Sequence, residues 1–268
     1  MARDSLADAI ALLGAHPLSD RAVHGVRKDL KRARAMLRLM RAGLGEREYH
    51  QRNAALRDAA RDLSAARDSK VLLDTLRNLP QHRSLSDLRS RLRKEHTVTR
   101  SRLRSEVSSV KRARKTLRTV RRDLPAGPQI RCDWPVLQSG LRRVYARARA
   151  ALVQARVHPT AENLHELRKQ TKYLWYQLEA LAASDGGGTR ALAAAAHRLS
   201  DLLGDDHNLT VLRGKVLQAS LAPSAQKRLL ARIDARRVRL IRRALVLARR
   251  IFRDSPAIFA VRVAVAPH

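Results

Sequence analysis

Val23-His24-Gly25-Val26-Arg27-Lys28-Asp29-Leu30-Lys31 decides how this chain is read, because it recurs 141 residues later as Leu164-His165-Glu166-Leu167-Arg168-Lys169-Gln170-Thr171-Lys172. In each copy His, Arg, Lys and Lys stand at i, i+3, i+4 and i+7, the spacing that projects side chains from one face of a helix. The apolar positions 23, 26, 30, 33, 37 and 40 reappear at 164, 167, 171, 174, 178 and 181, all aliphatic in the second copy except Thr171. One face of each helix therefore looks to a core. Another gathers three fixed positive charges and a titratable fourth, a pattern suited to a polyanion.

Working outward, nearly every segment carries the helical period and none sustains the alternation of a strand. Helices are expected over about Ser5–Ala15, Leu18–Ala42, Glu46–Leu79 and Leu85–Leu124, with Pro125-Ala126-Gly127-Pro128 breaking the chain after the fourth. The second half repeats the plan. A helix from Trp134 to about Val157 has Pro135 in its first turn, where proline is tolerated. His158-Pro159 opens the next, which ends at Gly186-Gly187-Gly188. A third covers about Thr189–Leu221, with an interruption expected near Gly204, and the last runs from Pro223 to about Phe252.

Landmarks correspond between the halves: His16-Pro17 with His158-Pro159, the two histidine stripes, and Leu63-Ser64-Ala65-Ala66-Arg67-Asp68 with Leu203-Gly204-Asp205-Asp206-His207-Asn208. Matching order and spacing point to an internally duplicated four-helix unit, in repeats of about 5–124 and 134–253 joined by a Pro/Gly linker at 125–133. The expected fold class is all-α, one domain over 1–268 built from two four-helix bundles.

Charge narrows the partner. Lys and Arg total 56 against 24 Asp and Glu, a net charge of +32. Self-repulsion of that size opposes compaction and favours an anionic partner. The single cysteine, Cys132, cannot pair internally, which fits a reducing compartment. No long apolar run follows Met1, and none of about 18 residues occurs elsewhere, so neither a secretory signal nor a membrane span is expected. A cytoplasmic location follows as the expectation.

The two His-x-x-Arg-Lys-x-x-Lys stripes, with Ala66-Arg67-Asp68 and Leu203-Gly204-x-x-His-Asn, resemble the CHAD family, the conserved-histidine α-helical domain, over about Ser5 to Phe252. The resemblance implies two pseudo-twofold-related bundles with a basic central groove or pore, and binding of inorganic polyphosphate. The sequence departs from the family where His207-Asn208 replaces an Asn-Asp or Arg-Asp pair, and where Trp175-Tyr176 follows the second stripe. Some family members carry a fused CYTH-type triphosphatase with a Glu-x-Glu-x-Lys signature. The nearest match, Glu46-Arg47-Glu48-Tyr49-His50, ends in His on a predicted helix and is set aside.

Polyphosphate offers charge and oxygen acceptors but no base edge, so its recognition is charge neutralisation with charge-assisted hydrogen bonds. Arg27 and Arg168 present planar forks, while Lys28, Lys31, Lys169 and Lys172 act as mobile point charges. Arg34 and Arg38 extend the first stripe, and Arg104 and Lys111 on the fourth helix and Arg232 and Arg239 on the eighth belong to further basic rows. A solvated helix normally interleaves Glu with Lys at i+4, and the stripes do not. Three roles are open to His24 and His165: a metal ligand, a structural hydrogen bond across the bundle, or an anion contact. Their cationic company argues against a metal, for which none is expected.

Asp205, after Gly204, reads as a helix cap, and Asp68 as orienting a stripe arginine. Catalysis is not expected: carboxylates are scattered, Cys132 has no suitably spaced His, and no phosphate-binding Gly loop or cofactor motif appears. The competing function is non-specific nucleic-acid binding, which the charge would support at low salt, although aromatics for stacking are only 3%. The apolar segment Ala257–Ala266, interrupted by Arg262, is expected to pack on the bundle rather than enter a membrane. Targeting of polyphosphate granules is compatible with the main reading.

Overall fold

The computed structural model describes residues 1–15, 18–78, 86–105, 107–124, 133–182 and 188–264, with backbone only at 62, 64–68, 103–105, 107 and 264. Among the described residues every regular element is a helix. The first half comprises α1 (Ala2–Leu12), α2 (Asp20–Leu39), the single turn α3 (Arg41–Leu44), α4 (Glu46–Asp62), α5 (Ser64–Arg77), α6 (Ser86–Ser105) and α7 (Val107–Asp123). The second comprises α8 (Trp134–Val157), α9 (Ala161–Leu181), α10 (Gly188–Leu217), α11 (Pro223–Ile251) and α12 (Pro256–Ala264).

The two stripe helices start alike. Ser19 caps α2 by accepting from the Ala22 N–H at 3.1 Å, and Thr160 caps α9 by accepting from the Asn163 N–H at 3.2 Å. These caps stand 141 residues apart, the offset of the stripes, and each is worth about 1 kcal/mol. Pro135 lies in the first turn of α8, as expected, after the Asp133 cap.

Two expected boundaries are revised. The expected helix Glu46–Leu79 turns at Leu63, which is fully buried, so that α4 and α5 face different neighbours. Of the expected helix Leu85–Leu124, Ser86–Ser105 (α6) and Val107–Asp123 (α7) are helical, and residue 106 between them lies outside the described residues. Conversely, α10 runs unbroken through Gly204, so Asp205 lies inside a helix and caps nothing. The Asp68 side chain, His16-Pro17, Gly186-Gly187 and residues 125–132 of the expected linker lie outside the described residues.

α2 and α9 pack against each other and run antiparallel. Arg32 meets Glu179 at 2.9 Å, the Gln177 Nε2 donates to the Ala35 carbonyl at 3.1 Å, and the Arg38 guanidinium lies 3.9 Å from the Tyr173 ring centroid. α1 packs on α2 as α8 packs on α9. Gly140 permits the contact of α8 with α2, because a Cβ there would stand 2.0 Å from the Leu39 carbonyl oxygen. Thr171, the apolar-register exception, is fully buried with the aliphatic residues.

The main core takes residues from both halves, on α1, α2, α4, α7, α8, α9, α10, α11 and α12. A second cluster joins Leu72, Leu73 and Leu76 of α5 and Leu88 and Leu92 of α6 to Leu212, Val216 and Ile233 of α10 and α11. The cores therefore do not divide at the Pro/Gly segment. α10 and α11 are also tied by Asp206, 2% exposed, whose Oδ1 accepts from the Arg237 Nε at 2.9 Å. Burial raises the Asp206 pKa and Arg237 opposes the shift. α12 packs on α8, with Phe259 stacked on Tyr145 at 3.8 Å, and the Tyr145 hydroxyl, its pKa pushed by burial to about 12, donates to the Ile251 and Asp254 carbonyls.

Candidate functional site

Because the stripe helices are antiparallel, their like residues meet in reverse order. Arg27, Lys31, Arg168 and Lys172 line both arms of a single cleft. One arm, about 410 Å³, continues past Arg34, His165, Lys169 and Tyr173, with Val71 and Leu72 of α5 and His207, Asn208 and Val211 of α10 as its other wall. The other, about 480 Å³, carries His24 and Lys28, then Trp175, Tyr176 and Glu179 of α9 and His197, Ser200, Asp201, Gly204 and Asp205 of α10. A side chamber of about 230 Å³ between α5 and α11 shares Asn208 with both. The two histidines of the stripes thus stand at opposite arms, each with the first Lys of its own stripe.

Local chemistry differs along the cleft. The His165 ring lies 4.8 Å from that of His207. His165 keeps solvent contact at the mouth, yet burial, then Arg168 and Lys169, hold it below the ordinary histidine value. Burial by itself would raise Glu166, but hydrogen bonds from Lys169 and Gln170 bring its carboxyl below the ordinary value. Arg168 lies against the backbone of α10 where Gly204 leaves room: a Cβ on Gly204 would stand 3.3 Å from its Nε and Nη2. Burial raises Asp205, with neighbouring Asp201 adding to the shift. Three rings form a stack at the far wall, Trp175 between Tyr176 at 4.4 Å and His197 at 4.0 Å, with the Lys172 ammonium 5.6 Å from the Trp175 centroid.

The outlying candidates separate. Arg34 lines the cleft and Arg38 does not; the Arg34 Nε and the Arg38 Nη1 each donate to the Asn53 Oδ1 at 3.0 Å, bracing α2 against α4. Burial lowers the Arg34 pKa. Lys111, Arg232 and Arg239 are exposed and are not among the cleft-lining residues. Lys111 sits on α7, which packs on α1 and α4, and turns away from the buried Val110, Ala113 and Leu117. On α11 the inward row is Leu229, Ile233, Arg236 and Leu240, and it is Arg236 that reaches the side chamber, where its Nη1 donates to the Asn78 carbonyl at 3.0 Å. Arg232 and Arg239 lie roughly 60–80° off that row at the helical period. The Arg104 side chain lies outside the described residues.

Sequence reasoning missed the α10 wall. His197, Ser200, Asp201, Gly204, Asp205, Asn208 and Val211 keep steps of three or one and share a face, the same signal that marks the stripes. Among the described residues no three His, Cys, Asp or Glu side chains gather as a metal site would require. No helix among them is long and apolar enough to cross a membrane.

Residues 5–217, most of the chain and all of the cleft's stripes, match the family model of the CHAD domain. The chain belongs to the CHAD family. A CHAD domain from the plant Ricinus communis, known as a crystal structure, is similar over 100% of this chain and 90% of that one, with a TM-score of 0.55 and 19% identity. At that identity the likeness speaks for the all-helical CHAD fold alone. A comparison with curated proteins gives no match. The CHAD match ends at the last turn of α10, so α11 and α12, which complete both cores, lie beyond it.

Proposed function

We propose that this CHAD protein binds inorganic polyphosphate, without cleaving it, in the cleft between α2, α9 and α10. The observation that carries the reading is the convergence of Arg27, Lys31, Arg168 and Lys172 on both arms of one cleft. Two antiparallel stripes double the local positive charge that either helix could offer, and a linear anion with an oxygen acceptor on every unit matches such a row. We read the antiparallel stripes and their matching caps as the two copies of a duplicated unit. An intracellular role in holding or targeting a polyphosphate store fits this reading, with no resident cofactor and no membrane contact.

Nucleic acid competes for the same charge. Single-strand binders need accessible rings for base stacking, and here Tyr173, Trp175 and Tyr176 are all buried, at 8% exposure or less. Association with DNA or RNA is then a matter of net charge and weakens steeply with salt. Calorimetry near physiological salt, with DNA as competitor, tests the choice. Polyphosphate binding that DNA cannot displace is expected. Easy displacement would sink the polyphosphate reading and favour the nucleic-acid one.

Two further outcomes are expected. Burial and the cations around His165 disfavour its charged form, and a bound phosphate reverses that, so binding takes up protons. Affinity should therefore rise as the pH falls from about 8.5 to about 6, with proton uptake visible as a dependence of the binding enthalpy on the buffer's ionisation heat. Equal affinity at both pH values would remove the imidazoles from the site. In Gly204→Ala, the added methyl meets the flexible end of Arg168. Helix propensity should raise stability by up to ~1 kcal/mol while affinity drops about tenfold, the lower end of the scale of one displaced charged hydrogen bond. Unchanged affinity would mean that the seat of Arg168 on α10 is unimportant for the anion.

A further inference from the structure

The two arms of the cleft are electrically different. The arm that passes His165 and Arg34 has no carboxylate among its described lining residues, whereas the arm that passes His24 carries Glu179, Asp201 and Asp205. Counting back by the offsets that align the halves, 141 for the stripes and 140 for the later landmark, Glu179 falls on Arg38, Asp201 on Arg61 and Asp205 on Ala65. The carboxylates thus belong to one end only, at positions where the other half has cations or a methyl group. An internal stretch of polyanion lying through the whole cleft would run its charges along that acidic wall.

A chain end would not have to. A terminal phosphate bears up to two charges and an extra oxygen, where each internal unit bears one charge. Its best seat is the point of highest positive charge, where Arg27, Lys31, Arg168 and Lys172 converge. The same arm holds a group that awaits an acceptor. Ser200 is 1% exposed, lines this arm, and its hydroxyl has no hydrogen-bond partner among the described residues. A buried hydroxyl left so is costly unless a ligand completes it.

We infer that the cleft holds polyphosphate by its end, the terminal phosphate seated among the four shared cations and the Ser200 hydroxyl, with the chain leaving past His165 and Arg34. The inference rests on the polyphosphate reading above and adds a direction to it: Asp201 and Asp205 close the other exit by repulsion, while Glu179 is paired with Arg32.

The test is stoichiometry. Sedimentation of the full-length protein with a short and a much longer linear polyphosphate, at salt that releases DNA, should show at most two proteins per chain at either length, because each chain has two ends. Loading in proportion to length would overturn the inference and leave the polyphosphate reading standing. Absence of binding to both chains would overturn the two together. The double variant Asp201→Asn, Asp205→Asn should keep its binding to the short chain and begin to load the long one along its length. A variant that still stops at the ends would show that these carboxylates do not close the cleft. Long polyphosphate esterified at both ends with a neutral group should lose most of its affinity for the unaltered protein, and full affinity would again overturn the inference.

Discussion

Arg27, Lys31, Arg168 and Lys172, replaced together by alanine, should cost polyphosphate affinity about a thousandfold or more, since a hydrogen bond to a charged group is worth roughly 1.5–3 kcal/mol and solvent in the cleft discounts each to about 1 kcal/mol. The four are chosen because they alone among the cations line both arms. Stability should hold or rise, because the variant relieves repulsion in a chain of net charge +32. The control is Arg228, Arg232, Arg239 and Arg243 changed to alanine, four exposed cations of α11 that do not line the cleft. Both variants lose the same charge. If the control loses as much affinity as the cleft variant, net charge rather than the cleft binds the anion, and the site assignment fails.

Gly140→Ala should be strongly destabilising. The added Cβ would lie 2.0 Å from the Leu39 carbonyl oxygen and 2.6 Å from its carbon, so the obstacle is backbone that no rotamer change can move aside. α8 must back away from the end of α2, loosening the packing around Leu37, Leu39 and Leu141, all of which are buried. Overpacking of this kind costs about 1–3 kcal/mol, and a clash with backbone belongs at the top of that range or beyond. At the size of this chain that corresponds to a fall in melting temperature of roughly 10 °C. Gly214→Ala, in the last turn of α10 with nothing near its would-be Cβ, should instead be neutral or stabilising by up to ~1 kcal/mol. Thermal unfolding of the two variants side by side checks the contrast; equal melting temperatures would refute the close approach of α8 and α2.

The stripes were legible because their information is local. Four residues at helical spacing identify a face wherever the helix lies, and the caps Ser19 and Thr160 begin both helices where the pattern starts. What the face meets is not local. Arg34 and Arg38 are one helical turn apart and both donate to Asn53, and only the position of Tyr173, whose ring Arg38 covers, decides that Arg38 braces the bundle outside the cleft. Arg232, Arg236 and Arg239 form one basic row in sequence, and only the inward rotation of α11 selects Arg236. Gly204 misled in the opposite sense. Glycine in a helical pattern reads as a break, yet here the helix continues and the missing side chain makes room for Arg168. At Leu63 the helix turns with no glycine or proline to announce it. The α10 wall is harder to read from sequence because its polar face mixes histidine, serine and carboxylates, whereas each stripe is a row of cations.

Cores that cross the midpoint of the chain also set the order in which the protein can be made. Leu72, Leu73 and Leu76 find Leu212, Val216 and Ile233 only after more than a hundred further residues have been synthesised, and Arg27 waits as long for Arg168. Contacts so distant in sequence are slow to form, and a nascent chain emerges from the ribosome N-terminus first. The first half must therefore persist as a strongly cationic, incompletely packed intermediate beside an RNA-rich machine until α10 and α11 arrive. Closing the cleft is then one of the last events of biosynthesis, and a chain cut short before α10 would have stripes but no site.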